Sequence, residues 1–563
     1  MFSKNQIVNV SIEDLGSTGE GIGKCDGFPL FIKDSLPGDE IEARIVKLKK
    51  NYGYARVERV VTPSPFRVSA PCKEARRCGG CQIMEMDYRQ QLIFKENKVR
   101  NNLVRLGGFN ADFIDRIMEP IVGMDGEALR YRNKAQFPVG KDKEGNLIAG
   151  FYAGRTHSII SCDDCLLGVN ENKDIIGIVL DFMNEYKVSS YDEETGKGLV
   201  RHILIRKGFA TGEIMVCLVI NGNGIPNSTV LCERLAAVKG MTSISISVNK
   251  NRTNVIMGDS YETIWGKATI KDVMKVKNPK DKFDSDISEG ITYEISPLSF
   301  YQVNPVQVEK LYGVAISFAS LTGEEEVWDI CCGIGTITLS MASKAKKVHG
   351  IEIVPQAIED AKNNAKANGI ENAEFICAPA EEYLPVHKDE INADVIVLDP
   401  PRKGMDEKAL EVVAAANPKR IVYVSCDSAT LARDLKYLCS NGYELKKVRA
   451  CDMFPMTVHV ETVCLLSKLR EAKHHVSVKL DMDEMDLTST ESKATYEEIK
   501  KYVAEHNDGM KVSSLNIAQV KRKCGIELAE NYNLPKSEDS KQPLCPKEKE
   551  DAIVEALKAF QMI

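Results

Sequence analysis

The amino-acid sequence predicts an α/β protein in which a small β-barrel and a mixed central domain precede a doubly wound, Rossmann-like parallel sheet, followed by a short helical extension. Two patterns support this fold class. Between residues 296 and 468, short apolar runs (EEVWDI, KVHGIEI, AEFICA, DVIVLD, RIVYVSC) alternate with helical stretches, which is typical of a doubly wound sheet. Residues 1–62 instead alternate apolar and polar positions between glycine turns, which is typical of a small closed sheet.

The composition is that of a globular protein, with 43% hydrophobic and 28% charged residues in a chain of 563 residues. No apolar run approaches the roughly 18 residues that span a bilayer, so the sequence predicts no membrane association. The first residues, MFSKNQIVNV, lack the features of a signal peptide, and we therefore expect a cytoplasmic protein. We also expect a monomer. In a reducing cytosol the seventeen cysteines are expected as thiols, metal ligands or nucleophiles.

The net charge of −7 argues against a nucleic-acid partner, but the charges are unevenly distributed. Residues 44–105 contain fifteen basic residues (Lys and Arg) and five acidic residues (Asp and Glu). Residues 470–563 contain fifteen basic and eighteen acidic residues. The basic stretch covers the last predicted barrel strand, a Cys-rich loop and a helix. This excess of positive charge could bind RNA, or it could simply form a charged surface exposed to solvent.

Residues 63–295 begin with a loop rich in Pro, Gly and Cys, and continue with a helix in DYRQQLIFKENKVRNNLVRLGGF. Leu92, Val99 and Leu103 follow helical spacing and predict its buried face, with the cations on the other face. Later runs such as RYRNKAQFPVG and EIMVCLVING predict strands of a mixed central domain. After residue 469, a polar break precedes two or three short helical segments.

A glycine loop marks a predicted cofactor site. The strand EEVWDI ends at Asp329, the loop CCGIG places Gly333 and Gly335 where the backbone can approach a ligand, and the next strand ends at Glu352. An acid there can accept hydrogen bonds from both ribose hydroxyls. The negative charge of Asp329 at the start of the loop would attract the sulfonium of S-adenosylmethionine and repel the pyrophosphate of a dinucleotide. We therefore favour a methyltransferase that uses S-adenosylmethionine over a dehydrogenase. The alternative is that the glycine loop is a structural turn that binds no ligand.

Two further strand ends carry reactive side chains. DVIVLD ends at Asp399, which PPRKG follows, and RIVYVS delivers Cys426. Because neighbouring parallel strands end at the same edge, we expect Asp399 and Cys426 to lie close together. Arg402 stands where enzymes that methylate amino groups place an aromatic residue, which argues against amine methylation. A cysteine in this position can also be inert.

A second carboxylate follows in DMFPMTVHVETVCLLSK. Val458, Val460 and Val463 alternate and predict a late strand that contains Glu461. A carboxylate inside an apolar strand must be paired, protonated or functional. Glu461 is therefore a candidate for general acid or base chemistry.

DPPRKG, YVSCD and DMFPMTVHVE together resemble the signature of RNA uracil-5-methyltransferases, the RumA and TrmA family. The resemblance extends over residues 1–467 and includes SFYQVNP ahead of the glycine loop and an N-terminal segment similar to the TRAM domain, an OB-like RNA-binding module. It implies a TRAM domain at 1–62, a central domain at 63–295, a methyltransferase domain at 296–468 and an extension of unknown role at 469–563.

The family's chemistry is compatible with these residues. Uracil C5 is not nucleophilic enough to accept a methyl group until a thiolate adds to C6, and the C5 proton must then be removed. By the resemblance, Cys426 is the thiolate, Glu461 the base, and Asp399 a hydrogen-bond partner of the uracil edge. The residues implied at the cofactor are Gln302, Cys331, Gly333, Gly335, Glu352 and Asp399.

Cys72, Cys78 and Cys81 are separated by five and two residues in the Cys-rich loop, which is metal-ligand spacing. The spacing alone leaves zinc and unliganded thiols as alternatives. The family with this spacing holds a [4Fe–4S] cluster, and its sequence pattern selects Cys165 as the fourth ligand, with Cys162 as a close competitor.

The resemblance implies 5-methyluridine synthesis in RNA. Ribosomal RNA, and 23S rRNA in particular, is favoured over tRNA because the barrel and the cysteines accompany the rRNA branch. Radical methylthiolation requires three cysteines separated by three and two residues, and the sequence has no such triplet. A non-catalytic RNA-binding or assembly factor is a third hypothesis, against which the joint presence of Asp399, Cys426 and Glu461 argues.

Overall fold

The computed structural model describes residues 2–154, 156–287, 289–387, 391–469, 496–507, 509–524 and 545–560. The chain divides into two compact units, Met1–Glu471 and Ala472–Ile563. The first unit contains the barrel, a central sheet and a larger sheet with helices on both faces. The second contains helices.

The N-terminal strands form a closed barrel in the order β1-β2-β3-β5-β4. They are β1 (Ile7–Leu15), β2 (Gly21–Cys25), β3 (Phe28–Lys33), β4 (Glu40–Leu48) and β5 (Gly53–Thr62). Alternate residues point inward, so that Leu30, Ile32, Ile41 and Ile45 are almost fully buried. The predicted small closed sheet is confirmed.

Helices α1 (Tyr88–Arg105) and α2 (Ala111–Ile117) and strand β6 (Met118–Val122) follow the Cys-rich loop. Asp87 caps α1 by accepting a hydrogen bond from the Arg89 N–H at 3.0 Å. The buried face of α1 contains Val99 and Leu103, as predicted, but also Lys95, whereas Leu92 is only half-buried. The prediction that the cations lie on the opposite face is therefore wrong for Lys95, which has a carboxylate partner inside the protein.

The central sheet has seven strands in the order β13-β12-β11-β10-β7-β8-β9. Its elements are β7 (Lys134–Lys141), β8 (Leu147–Tyr152), β9 (Ile159–Ser161), α3 (Glu171–Glu185), β10 (Val200–Lys207), β11 (Ile214–Ile220), α4 (Ser228–Ala236), β12 (Met241–Val248) and β13 (Tyr261–Gly266). Helices α3 and α4 bury their apolar faces against one side of this sheet. A two-stranded sheet of β14 (Ile270–Met274) and β15 (Ile291–Ile295) follows.

The largest sheet has eight strands in the order β18-β17-β16-β19-β20-β22-β21-β6. Its remaining elements are α5 (Pro305–Ala319), β16 (Glu326–Ile330), α6 (Thr336–Ala342), β17 (Lys347–Glu352), α7 (Pro355–Ala367), β18 (Ala373–Cys377), α8 (Ala380–Val386), β19 (Val395–Leu398), α9 (Glu407–Ala415), β20 (Arg420–Ser425), α10 (Ser428–Ser440), β21 (Tyr443–Cys451) and β22 (Glu461–Lys468). Strands β16 to β20 pair in parallel and β22 is antiparallel to both neighbours. Each face of the sheet carries its own apolar core, which confirms the predicted doubly wound fold.

Strand β6 adds a detail that the sequence pattern did not indicate. It pairs in parallel with β21, so a segment from the predicted central domain completes the edge of the eight-stranded sheet. A five-residue strand that contains a proline, Pro120, gives no clear alternating pattern.

The second unit contains α11 (Tyr496–His506), α12 (Ser514–Lys523) and α13 (Lys547–Ala559). The three helices pack around an apolar core of Ile499, Val503, Ile517, Ile553 and Leu557. The polar break predicted ahead of α11 lies outside the described residues. Within the described part of the chain, no helix combines the length and the apolar character needed to cross a membrane.

Candidate active site

A cavity of about 890 Å³ opens at the carboxyl ends of β16, β17, β19 and β20. This is the edge of a doubly wound sheet at which ligands bind. Seven residues singled out in the sequence line it: Gln302, Cys331, Gly333, Glu352, Asp399, Cys426 and Glu461. The cavity therefore joins the predicted cofactor residues and the predicted reactive residues in one site.

The end of the cavity that the sequence predicts to hold the cofactor contains Glu352, the last residue of β17. Its carboxylate accepts hydrogen bonds from the Gly333 N–H at 3.2 Å and the Val354 N–H at 3.0 Å. Gly333 has a φ of 56°, and a Cβ built there would meet no other atom within 4 Å. The glycine therefore serves a turn that faces open space. Burial and the nearby Glu352 raise the pKa of Cys331 to about 12, so this thiol is neutral.

Gly335 and Asp329 take other roles from those suggested by the sequence. Gly335 has a φ of 81° and lies outside the cavity lining, where a Cβ would sit 3.1 Å from the Phe375 ring. Because Gly335 has no side chain, the Phe375 ring can pack against the start of α6. Asp329 also lies outside the lining and accepts a hydrogen bond from the Thr338 hydroxyl at 2.6 Å. Its carboxylate thus fixes α6 to the end of β16.

At the other end of the cavity, β19 and β20 are neighbours, as predicted, and bring Asp399 and Cys426 together. Burial and the adjacent Asp329 raise the pKa of Asp399 to about 7. Burial and the adjacent Glu461 raise the pKa of Cys426 to about 11. Without a ligand, the thiol of Cys426 is therefore almost entirely protonated at neutral pH.

Glu461 is the first residue of β22 and pairs with Cys451 of β21. The predicted strand that continues back to Val458 is wrong, because residues 452–460 form a loop between the two strands. Burial and Asp399 raise the pKa of Glu461 to about 8. A carboxyl group with this pKa can exchange a proton near physiological pH.

His459 and Phe454 also line the cavity, although no sequence pattern singled them out. Their rings are edge to face with centroids 6.2 Å apart. Burial and the nearby Arg402 lower the pKa of His459 to about 4, so its imidazole is neutral. The sequence HVE places His459 two residues before the candidate base Glu461. This short spacing was the one sequence feature that could have indicated the histidine.

The loop of residues 452–460, here called the catalytic loop, is held by side chains from α1. Lys95 Nζ donates to Asp452 Oδ1 at 2.5 Å and to the Phe454 carbonyl at 3.0 Å. Gln91 Oε1 accepts from the Met456 N–H at 2.9 Å. These contacts fix the loop that leads directly into Glu461.

We expect Lys95→Met to destabilise the first unit by about 3–5 kcal/mol. Lys95 and Asp452 are both fully buried, and removal of one partner leaves the other charge without compensation. Urea unfolding would measure the loss. The double variant Lys95→Met/Asp452→Asn should lose less than the sum of the two single changes; strictly additive losses would show that the pair is not coupled.

Cys72, Cys78, Cys81 and Cys165, the predicted cluster ligands, are all half-buried. Burial raises the pKa of Cys78 and that of Cys81, and the Cys72 and Cys165 thiols add to the increase. Cys72, Cys81 and Cys165 pack against an apolar cluster of Met84, Tyr131 and Leu167. A hydrogen bond from the Cys162 thiol, together with backbone N–H groups of Leu167 and Gly168, lowers the pKa of Cys165 to about 6.

The choice of Cys165 over Cys162 as the fourth ligand stays a prediction. Among the residues that the structure describes, no group of three or more His, Cys, Asp or Glu side chains has the arrangement that would hold a metal ion.

Comparison with known proteins agrees with this architecture. The family model described as tRNA (Uracil-5-)-methyltransferase matches residues 286–469, and the TRAM domain model matches residues 2–57. An uncharacterized RNA methyltransferase of Halalkalibacterium halodurans is 46% identical and aligns with 82% of this chain and 97% of its own length. A relative from Listeria innocua with the same description is 46% identical over 83% of this chain and 99% of its own length.

Among solved structures, the tRNA (uracil-54, C5)-methyltransferase of Pyrococcus abyssi in complex with S-adenosyl-L-homocysteine is similar to this protein with a TM-score of 0.64. It is 28% identical, and the match covers 82% of this chain and all of that chain. The two family models match this chain, and the relatives align with it over most of its sequence. The chain therefore belongs to the S-adenosylmethionine-dependent RNA (uracil-5-)-methyltransferase family, with a TRAM domain at its N-terminus.

Proposed function

We propose that this enzyme methylates C5 of a uridine in 23S rRNA through a covalent intermediate on Cys426. The observation that carries the proposal is the joint position of Cys426, Glu461 and Asp399 at one end of a cavity whose other end holds Cys331 and Glu352. A methyl donor bound at one end and a flipped uracil at the other would meet inside it.

In the proposed reaction, the Cys426 thiolate adds to C6 of uracil and the electron pair of the C5–C6 double bond moves toward C5 and O4. C5 then attacks the methyl group of the sulfonium, and S-adenosylhomocysteine leaves as a neutral thioether. Asp399 accepts a hydrogen bond at the uracil edge. The product of this step is a 5-methyl adduct that still carries the C5 proton.

Glu461 completes the cycle. Its carboxylate takes the C5 proton, the electrons of that C–H bond restore the C5–C6 double bond, and the Cys426 thiolate is expelled. The pKa of about 8 for Glu461 supports this role, because the group must accept a proton from carbon and return it to solvent near neutral pH.

Arg402 is the cation that favours both ionised groups, since it lowers the pKa values of Cys426 and Glu461. We expect Arg402→Met to raise the pKa of Cys426, so that less thiolate is present at any pH below about 11. Trapping on RNA that contains 5-fluorouridine should slow roughly tenfold for each unit by which the pKa rises. The rate should still increase with pH, on a profile displaced to higher pH.

Lys408→Met, which removes an exposed cation of α9 outside the cavity lining, is the matched control and should leave the profile in place. Superimposable pH profiles for Arg402→Met and the wild type would exclude the electrostatic role of Arg402.

Two observations bear on the RNA substrate. The barrel and the grouped cysteines favour rRNA through the family resemblance. The Pyrococcus abyssi neighbour, described as a tRNA enzyme that acts on uracil-54, favours tRNA as the second candidate. The barrel and its basic surroundings suit either RNA, so the substrate must be tested directly.

The test is quantitative mass spectrometry of 5-methyluridine in separated 23S rRNA and tRNA from cells with and without this protein. We expect loss of 5-methyluridine at one or two positions of 23S rRNA and its return when the wild-type protein, but not Cys426→Ala, is restored. Loss confined to tRNA would replace the rRNA proposal with the tRNA one, and unchanged 5-methyluridine in both would refute both.

We also propose that Cys72, Cys78, Cys81 and Cys165 hold a [4Fe–4S] cluster. Four half-buried thiols, three of them in one loop, supply the donor set of such a cluster, and zinc is the alternative metal for four thiols. The cluster would tie the Cys-rich loop to the segment at Cys165, and no step of methyl transfer passes through it.

For this proposal we expect anaerobically purified protein to be brown, with about four irons per chain. Cys165→Ser should lose the iron and the visible absorbance, whereas Cys162→Ser should retain both. The opposite pattern would make Cys162 the ligand. Stoichiometric zinc without iron would refute the cluster.

A further inference from the structure

Three aromatic side chains form a cluster on the outer surface of the barrel. Phe31 lies on β3, Tyr54 on β5 and Tyr52 in the turn before β5, and ring centroids are 5.6 Å apart for two of the pairs and 5.9 Å for the third. On β3, the residues on either side of Phe31 are Leu30 and Ile32, which point into the barrel. By strand alternation, Phe31 therefore points outward, beside its register partner Tyr54.

This outer cluster, here called the aromatic platform, is not part of the barrel core. The core consists of aliphatic side chains, against which two other aromatic residues of the barrel, Phe2 and Phe28, are packed. Phe31, Tyr52 and Tyr54 are each half-buried and keep part of their ring surface open to solvent. Grouped, partly exposed rings on a soluble protein commonly mark a binding surface.

The surroundings of the platform are cationic. Lys33 and Arg56 are register partners two positions beyond Phe31 and Tyr54 on the same two strands, and both side chains are 64% exposed. Lys47 pairs with Tyr54 from the other side, and Lys49 and Lys50 are exposed in the turn before Tyr52. Acidic residues are also present nearby, with Asp34 and Glu58 ion-paired to Lys33 and Arg56.

We propose that Phe31, Tyr52 and Tyr54 form a stacking site for unpaired bases of the RNA substrate, with the surrounding cations on its phosphates. The combination of stacked rings and a basic rim is how OB-type barrels bind single strands without reading their sequence. The inference rests on the proposed function in one respect, which is that the substrate is RNA.

The barrel is fixed to the active site, which gives this surface a defined position relative to the target base. Lys98 Nζ donates both to the Ser17 carbonyl of the barrel at 3.2 Å and to the Val458 carbonyl of the catalytic loop at 2.9 Å. On the other side, Lys33 Nζ donates to the Arg76 carbonyl of the Cys-rich loop at 3.1 Å. Bases held on the platform would therefore set the register of the strand with respect to Cys426.

The experiment measures binding of a single-stranded RNA substrate that carries the fluorescent base 2-aminopurine at successive positions. With full-length wild-type protein, we expect quenching at one or two positions, because stacking on aromatic rings quenches this base. Tyr52→Ala and Phe31→Ala should each abolish the quenching and weaken binding by about 5- to 150-fold. The dependence of affinity on salt should remain, because no ionic contact is removed.

The controls separate stacking from fold stability. Tyr52→Phe keeps the ring and should bind as the wild type does. Phe2→Ala removes a ring that packs against the barrel core and should lower the melting temperature with little effect on RNA affinity. The double variant Lys49→Gln/Lys50→Gln should reduce the salt dependence and keep the quenching.

If Tyr52→Ala and Phe31→Ala bind RNA with wild-type affinity and quenching, the stacking site is refuted. The same conclusion follows if they lower only the melting temperature, since the platform is then structural. Failure of the proposed function is a separate outcome, namely wild-type protein that transfers no methyl group to any uridine. Active wild-type enzyme with unchanged kcat/KM in both variants would refute the platform alone.

Discussion

Cys426→Ala is expected to form no denaturation-resistant complex with RNA that contains 5-fluorouridine, whereas the wild-type enzyme becomes trapped on it. Fluorine at C5 cannot be removed as a proton, so the cycle stops after methyl transfer with the Cys426 sulfur still bonded to C6. Without the thiol no adduct can form, and turnover on normal RNA should fall below detection. Denaturing electrophoresis with S-adenosylmethionine present measures both results.

Cys439 supplies a matched control, because burial raises its pKa to about 11 as well, but it lies on α10 outside the cavity lining. Cys439→Ala should be trapped like the wild type. A covalent complex with Cys426→Ala would show that another nucleophile attacks the base.

Glu461→Gln is expected to separate methyl transfer from product release. The amide cannot accept the C5 proton, so the 5-methyl adduct should accumulate on Cys426 and turnover should fall by roughly 10²- to 10⁴-fold. One methyl group per enzyme should be transferred in a rapid first turnover. Mass spectrometry of the denatured complex would detect methylated RNA attached to the protein without any fluorinated analogue.

Glu444→Gln, on the neighbouring strand β21 and outside the cavity lining, should turn over normally. Near-normal turnover by Glu461→Gln would exclude Glu461 as the base. Loss of the first turnover as well would place Glu461 earlier in the reaction than we propose.

Parts of this site were predictable because strand geometry alone brings them together. Asp399 and Cys426 end two apolar runs of a parallel sheet, and parallel neighbours must deliver their last residues to one edge. Glu352 was predictable for the same reason, as the end of the strand after the glycine loop. The barrel followed from its alternating pattern, which a small closed sheet imposes on each strand.

Other parts depend on contacts that no local pattern records. Lys95 and Asp452 are 357 positions apart in the chain, and helical spacing assigns a lysine to the solvent face unless its carboxylate partner is known. The start of β22 at Glu461 was missed because Val458 and Val460 are buried in a loop rather than a strand. Alternating apolar residues indicate burial, and burial is not always strand structure.

The central claim is that the methyl group replaces a proton at C5 of uridine. The most direct measurement uses RNA labelled with tritium at C5 of uridine and S-adenosylmethionine labelled in its methyl group, and counts both labels during turnover. We expect one tritium to be released to water for each methyl group that enters RNA. Methyl incorporation without tritium release would place the methyl group on another atom and refute methylation at C5.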